Sequence, residues 1–234
     1  MKFYIAFLTL ILFIRPQIFA QKHDSILIFQ KNLTEDEKTH LKLELDKLGS
    51  DDQKYRKLWP IIEKQYGKES AENKENSRLW KLMDSINIVK IDSLLELYGY
   101  DNIIDSNADA LFMIIQHADL TRQMKFIPFF KESAKRKKLS LQNVALMEDR
   151  INVRTLKKQV YGSQICTNKK TGEQFVCALE DPDNVNLRRA ELDYPAEIIP
   201  ISAYCKYFGI KWDLEEYKRR LPEFEAIQKE QGKW

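Results

Sequence analysis

The sequence has few of the residues on which common catalytic motifs depend. Its 234 residues include three histidines, three cysteines and seven glycines. It contains no glycine-rich phosphate loop, no G-x-S-x-G nucleophile turn and no H-E-x-x-H zinc helix. Because His23 and His40 lie near the start of the chain, a site built from several histidines would need distant segments to converge. We therefore predict no metal site and no cofactor.

The chain also lacks a strong excess of charge of either sign. Its formal net charge is +3, and 31% of its residues are charged, with both signs interleaved. Removal of residues 1–20 would take away Lys2 and Arg15 and no acid, so the charge would fall by two, to +1. A nearly neutral protein of this kind is not expected to have nucleic acid or an anionic membrane as its main partner.

Long apolar runs are absent except at the start of the chain. Lys2 precedes an apolar stretch over residues 3–14, and Ala20 stands where signal peptidase requires a small residue. A stretch of about twelve residues is too short to cross a bilayer comfortably. We predict a signal peptide over residues 1–20 that is cleaved after Ala20, with an uncleaved anchor as the alternative. The mature protein would be periplasmic or secreted, without stable membrane insertion.

Helical periodicity dominates the rest of the chain. Residues 21–32 are predicted to be a linker, and residues 33–230 a single, mainly α-helical domain of about seven to nine helices. Gly49 is expected to end the first helix, and residues 50–53 to begin the second. A capping pattern at residues 106–109 precedes the most apolar helix, which should be central. Further expected helices cover residues 73–86, about 91–98, 120–137, 140–153, 200–208 and 213–228.

After Gly162 the pattern becomes typical of strands. Residues 164–167 and 174–179 are predicted to form a small β-hairpin near 164–179. Cys166 and Cys177 could pair across it, since an exported protein meets an oxidising environment. The alternative is that all three cysteines are small core residues that never meet.

Polar residues at the end of the apolar helix are the first candidates for a functional role. Residues 116–119 read Gln-His-Ala-Asp, and a buried polar group without a partner costs about 1 to 3 kcal/mol. His117 is predicted to be a catalytic acid or base, with a hydrogen-bonded core histidine as the alternative. Gln116, Asp119 and Gln123 are predicted to bind a ligand. For Asp119 the alternative is that it caps the next helix.

A second group of candidates lies before and within the hairpin region. Asp149 is predicted to be catalytic, and Arg150 offers a planar fork that holds a carboxylate or phosphate with two bonds. Residues 159–164, Gln-Val-Tyr-Gly-Ser-Gln, carry hydrogen-bonding groups without hydrophobic periodicity. The alternative is that Asp149 and Arg150 tie helix ends together. The ligand-binding residues predicted in this part of the chain are Arg150, Gln159, Tyr161, Gln164 and Arg189.

The order of these motifs resembles that of an uncharacterised bacterial family that is known as a domain of unknown function. The family's motifs are Q-H-A-D, D-R and Q-x-Y-G-T-Q, and the similarity covers roughly residues 50–210. Ser163 stands here in place of the threonine and retains the hydroxyl group. The resemblance carries no activity or cofactor. It implies that the polar residues of the motifs form one shared site.

We predict that the protein binds a small polar or anionic ligand in a cleft lined by these residues. One alternative is a hydrolase in which His117 is the base and Asp149 orients it or activates water. The other is a structural or protein-interaction domain, in which the same residues form a buried hydrogen-bond network. The sequence identifies no particular protein partner.

Overall fold

The computed structural model describes residues 31–192 and 200–231, which form eight helices and two short strands. The predicted fold class, mainly α with a small hairpin, is confirmed. The chain divides into two compact units, Met1–His117 and Ala118–Trp234. We call them the N-terminal and C-terminal units, and the single domain stays a prediction. The predicted signal peptide and most of the predicted linker lie outside the described residues.

Three helices make up the described part of the N-terminal unit. They are α1 (Glu35–Tyr66), α2 (Ala71–Tyr98) and α3 (Tyr100–His117). Thr34 and Ser70 cap α1 and α2 through hydrogen bonds from backbone N–H groups to their side-chain oxygens. All three helices contribute apolar side chains to the core. Its fully or almost fully buried members include Leu41, Leu45, Leu48, Ile91, Leu95, Ile103, Leu111, Ile114 and Ile115.

Gly49 lies inside α1 and does not end it, so the sequence-based break at this point is wrong. A Cβ atom at Gly49 would lie 3.3 Å from Met113 Cε and 3.5 Å from Ala110 Cβ, both on α3. The missing side chain therefore lets α1 and α3 pack closely, which offsets a helix-propensity cost of about 1 kcal/mol. The break expected after residue 86 is also wrong, because α2 is continuous through that position.

The course of α3 is interrupted at Asn107, which has φ −161° and ψ 87°. Asn107 accepts the backbone N–H of Ala110 at 2.9 Å and donates to the Asp46 carboxylate of α1 at 2.7 Å. The helix start expected over residues 106–109 is confirmed, with Asn107 as its capping residue. Beyond Asn107, α3 is buried on nearly all sides, as expected for a central helix.

The C-terminal unit combines helices with the hairpin. Its elements are α4 (Leu120–Lys135), α5 (Leu141–Arg154), β1 (Ile165–Thr167), β2 (Gln174–Val176), α6 (Val185–Ala190), α7 (Ile201–Tyr207) and α8 (Leu214–Gln231). The strands pair antiparallel, with Cys166 opposite Phe175. Phe175 stacks on Phe224 of α8, with ring centroids 4.3 Å apart, and this contact joins hairpin and helix in one core. In the part of the chain that the structure describes, none of the helices is both long and apolar enough to cross a bilayer.

Cys166 and Cys177 form a disulfide bond, which confirms the pairing considered from the sequence. It connects β1 to the residue that follows β2. Cys205 is a free thiol buried in the core around α7. Burial raises the pKa of the Cys205 thiol to about 11, so this group is a poor nucleophile at neutral pH.

Substitution of Gly49 should separate its two effects on the helix. Gly49→Leu is expected to lower the free energy of unfolding by about 1 to 3 kcal/mol, because its side chain would overlap α3. Gly49→Ala should be at least as stable as the wild type, since the flexible end of Met113 can yield and alanine favours the helix. Chemical denaturation measures both. A Leu variant as stable as the Ala variant would contradict the close packing.

The disulfide should stabilise the C-terminal unit. Cys166 and Cys177 are 11 residues apart, for which chain entropy predicts a contribution of about 3 kcal/mol. We expect one titratable thiol in the denatured protein and three after reduction. Reductant should lower the melting temperature of the wild type and of Cys205→Ala equally. An unchanged melting temperature on reduction would show that the bond does not stabilise the fold.

Candidate functional site

Four ionisable side chains come together inside the N-terminal unit. Asp52 and Arg56 come from α1, Asp84 from α2 and His117 from α3. Their side chains retain 1%, 11%, 24% and 16% of their accessible surface, respectively. Charges at this depth lose hydration, and the loss is tolerated only where they are paired. We call this group the buried charge cluster.

Asp52 is the centre of the cluster. Its Oδ1 lies 3.0 Å from His117 Nδ1 and 3.1 Å from Arg56 Nη1, and its Oδ2 accepts a hydrogen bond of 2.7 Å from the Gln53 amide. An ionised carboxylate only accepts hydrogen bonds, so this geometry assigns a proton to Nδ1 of His117. A carboxylate that fixes the imidazole tautomer in this way is found behind acid–base histidines.

Arg56 bridges the two carboxylates of the cluster. Its Nη2 donates to both oxygens of Asp84, at 2.8 and 3.0 Å, and its guanidinium lies over the ring of Trp80 at 4.7 Å. Burial raises the pKa of Asp84, and the hydrogen bonds from Arg56 oppose that shift. With a neutral imidazole and both acids ionised, the cluster carries one net negative charge. It therefore favours a cation over an anion.

Asp52, Asp84 and His117 are also the side chains that could hold a metal ion. Each offers one potential ligand atom, and these atoms all lie within 4.8 Å of one another. The sequence predicts no metal site. Asp52 and His117 are 65 residues apart, and the pattern at residues 50–53 predicts only a helix start. The one local signal was the spacing of Asp52 and Arg56 by four residues, which pairs them on one helix face.

Asp149, the second predicted catalytic residue, is fully buried on α5 and binds backbone groups of the C-terminal unit. Its Oδ1 accepts the N–H groups of Val160 and Tyr161, at 2.7 and 3.0 Å, and its Oδ2 accepts that of Ser163 at 2.9 Å. Burial raises the pKa of Asp149, and these hydrogen bonds oppose the shift. Both oxygens are thus used to hold residues 159–164 in place.

Gln159 and Arg189, predicted ligand-binding residues, hold the same segment. The buried Gln159 amide donates to the carbonyls of Gln164 and Cys177, at 3.0 and 2.7 Å, and accepts the N–H of Gln164 at 2.8 Å. Arg189 donates to the carbonyl of Tyr161 at 2.8 Å. The Gln159 amide, predicted to bind a ligand, is therefore bonded to the backbone, as is one nitrogen of Arg189.

Both backbone conformation and packing favour glycine at position 162 of this motif. Gly162 has φ +70°, and a Cβ atom there would lie 2.5 Å from Ile201 Cδ1. Tyr204, from the same helix as Ile201, donates its hydroxyl proton to the carbonyl of Ser163 at 2.7 Å. Side chains from three helices thus fix the conformation of residues 159–164: Asp149 of α5, Arg189 of α6 and Tyr204 of α7. We call residues 159–164 and these three side chains the backbone clamp.

Asp119 caps α4, which is the alternative role that the sequence offers for this residue. Its carboxylate accepts the backbone N–H of Arg122 at 2.9 Å, and its side chain is exposed. Gln123 is buried and donates to the carbonyl of Ala118 at 3.3 Å. Both residues thus contribute to the start of α4.

The predicted site residues divide between the two units. Gln116 and His117 belong to the N-terminal unit. The other predicted residues belong to the C-terminal unit: Asp119, Gln123, Asp149, Arg150, Gln159, Tyr161, Gln164 and Arg189. One site shared by all of them stays a prediction. Within the N-terminal unit, His117 contacts the carboxylate of Asp52.

Comparisons with known proteins identify no family for this chain. No protein-family model, no curated protein and no solved structure matches the chain. The resemblance to a family of unknown function therefore stays an expectation.

The backbone clamp predicts a structural role for Asp149. Asp149→Asn should lower the free energy of unfolding by about 2 to 4 kcal/mol, because an amide NH₂ would face N–H donors that have lost their acceptor. Asp183→Asn, at a surface ion pair with Lys218, is the control and should change stability little. Denaturant unfolding measures both. Equal stability of Asp149→Asn and the wild type would rule out the clamp.

Proposed function

We propose that the protein binds a small polar or cationic ligand through Asp52, Asp84 and His117 in the N-terminal unit. The observation that carries this proposal is the convergence of three potential ligand atoms, one from each helix, within 4.8 Å. Burial of charged pairs costs several kcal/mol per ion before pairing compensates. Apolar side chains would join three helices at least as well. A binding role accounts for charges in a place where packing does not require them.

The charge of the cluster changes the ligand class expected from the sequence. The prediction of a polar or anionic ligand relied on arginines of the C-terminal unit. Arg189 donates to a backbone carbonyl in the backbone clamp. When His117 is neutral, the buried charge cluster has two negative charges and one positive charge. Both observations favour a neutral or positively charged ligand.

A hydrolase remains the second candidate, and one contact favours it. The 3.0 Å contact between Asp52 Oδ1 and His117 Nδ1 is the arrangement by which a buried acid orients a catalytic imidazole. In this version Asp52 takes the orienting role that the sequence assigned to Asp149. Turnover of a hydrolase substrate panel that disappears in His117→Gln would support this candidate over simple binding.

Ligand binding is tested with a thermal-shift panel of amino acids, polyamines, sugars and organic cations. A ligand present at a hundred times its dissociation constant adds about 2.7 kcal/mol, which corresponds to a rise of roughly 5 to 10 °C. At least one compound should raise the melting temperature of the wild type and fail to do so in Asp84→Asn and His117→Gln. Without ligand, His117→Gln should lose less than about 2 kcal/mol, since Arg56 and Gln53 still bind Asp52.

His40→Gln is the matched control because His40 is an exposed histidine on α1. It should leave both the melting temperature and every ligand-induced shift unchanged. Shifts that survive in both cluster variants, or a wild type that responds to no compound and to no metal ion, would refute the proposed binding role.

A further inference from the structure

We infer that the ligand of the buried charge cluster is a divalent transition-metal ion, held by the carboxylates of Asp52 and Asp84 and by Nδ1 of His117. There it would replace the proton that Nδ1 shares with Asp52 and release it to solvent, and Nε2 would take one up, so that the imidazole stays neutral. The inference rests on the proposed binding function and names its ligand. One imidazole nitrogen and two carboxylate oxygens suit Zn²⁺, Mn²⁺, Fe²⁺ and Co²⁺. Mg²⁺ and Ca²⁺ prefer sites made of oxygen alone. The donor set thus selects a class of ion.

Arg56 shows where a cation is stabilised in this cluster. One of its nitrogens lies 3.1 Å from Asp52 Oδ1, and another lies 2.8 Å from Asp84 Oδ1, so the guanidinium spans the two carboxylates. It supplies one positive charge against two negative ones. A divalent ion in its place would neutralise both acids completely, so metal binding and the Arg56 contacts compete for the same oxygens.

The side-chain amide of Asn87 gives independent support for a ligand. Its side chain is fully buried, and neither its amide nitrogen nor its amide oxygen has a hydrogen-bond partner among the described residues. Asn87 follows Asp84 by three residues on α2, which places both on one side of that helix. An amide buried in this way requires an explanation, and a metal ion or its coordinated water next to Asp84 provides one.

The inference is tested by calorimetric titration of the purified full chain with ZnCl₂ and MnCl₂, and with MgCl₂ for comparison. We expect one Zn²⁺ or Mn²⁺ site per chain and no comparable heat from Mg²⁺. Asp84→Asn and His117→Gln should each weaken binding at least about tenfold. The controls His40→Gln and Asp46→Asn alter an exposed histidine and an exposed acid of α1, and they should bind as the wild type does.

Arg56→Met is predicted to bind metal more tightly, a result that misfolding of the variant could not produce. Removal of the competing guanidinium should strengthen Zn²⁺ binding at least about tenfold. Its melting temperature should fall without metal and rise more than that of the wild type with Zn²⁺, since two buried acids have lost their counter-charge.

Several results would overturn the metal site. These are the absence of Zn²⁺ and Mn²⁺ binding in both the wild type and Arg56→Met, binding that His40→Gln removes, or an affinity that Arg56→Met leaves unchanged or lowers. If an organic compound of the thermal-shift panel binds through Asp84 and His117 while no metal does, the inference fails and the binding function stands. If neither binds, both fail.

Discussion

The candidate site depends on one buried carboxylate, that of Asp52. Its charge is tolerated because three side chains donate to it: those of Gln53, Arg56 and His117. Arg56 extends the network to Asp84, so a single set of hydrogen bonds connects α1, α2 and α3. The bonds that compensate the buried charge therefore also keep the potential ligand atoms together. Without the Asp52 carboxylate, the imidazole would lose its orienting partner and Arg56 one of its two acids.

Two buried aspartates of this protein differ in the hydrogen-bond donors that face them. Asp149 accepts backbone N–H groups, whose positions are fixed by the fold, so its carboxylate is committed to the backbone clamp. Asp52 accepts from side chains, which can rotate and exchange with a ligand. Burial alone would select both residues as functional candidates. The type of hydrogen-bond donor distinguishes the structural role of Asp149 from the binding role that we propose for Asp52.

The sequence predicts the features of the fold that depend on local pattern. Helical periodicity and the helix start within residues 106–109 follow from neighbouring residues, and a short turn made the pairing of Cys166 with Cys177 one of two alternatives. Gly49 was misread because its absent side chain serves packing against a helix some sixty residues later in the chain, which no local pattern records. The contact of Asp52 with His117 is hidden for the same reason. The sequence also identifies the polar motif at residues 159–164, but the Gln159 amide and the backbone N–H groups of Val160, Tyr161 and Ser163 are bonded within the fold.

Anomalous X-ray diffraction from crystals grown with saturating Zn²⁺ is the sharpest test of the metal site, because it locates the ion without reference to stability or activity. We expect a zinc peak in contact with Asp52, Asp84 and His117, and a guanidinium of Arg56 that has moved away from at least one carboxylate. Crystals at saturating zinc that show no peak at these three residues, with Arg56 still bridging the two acids, would contradict it.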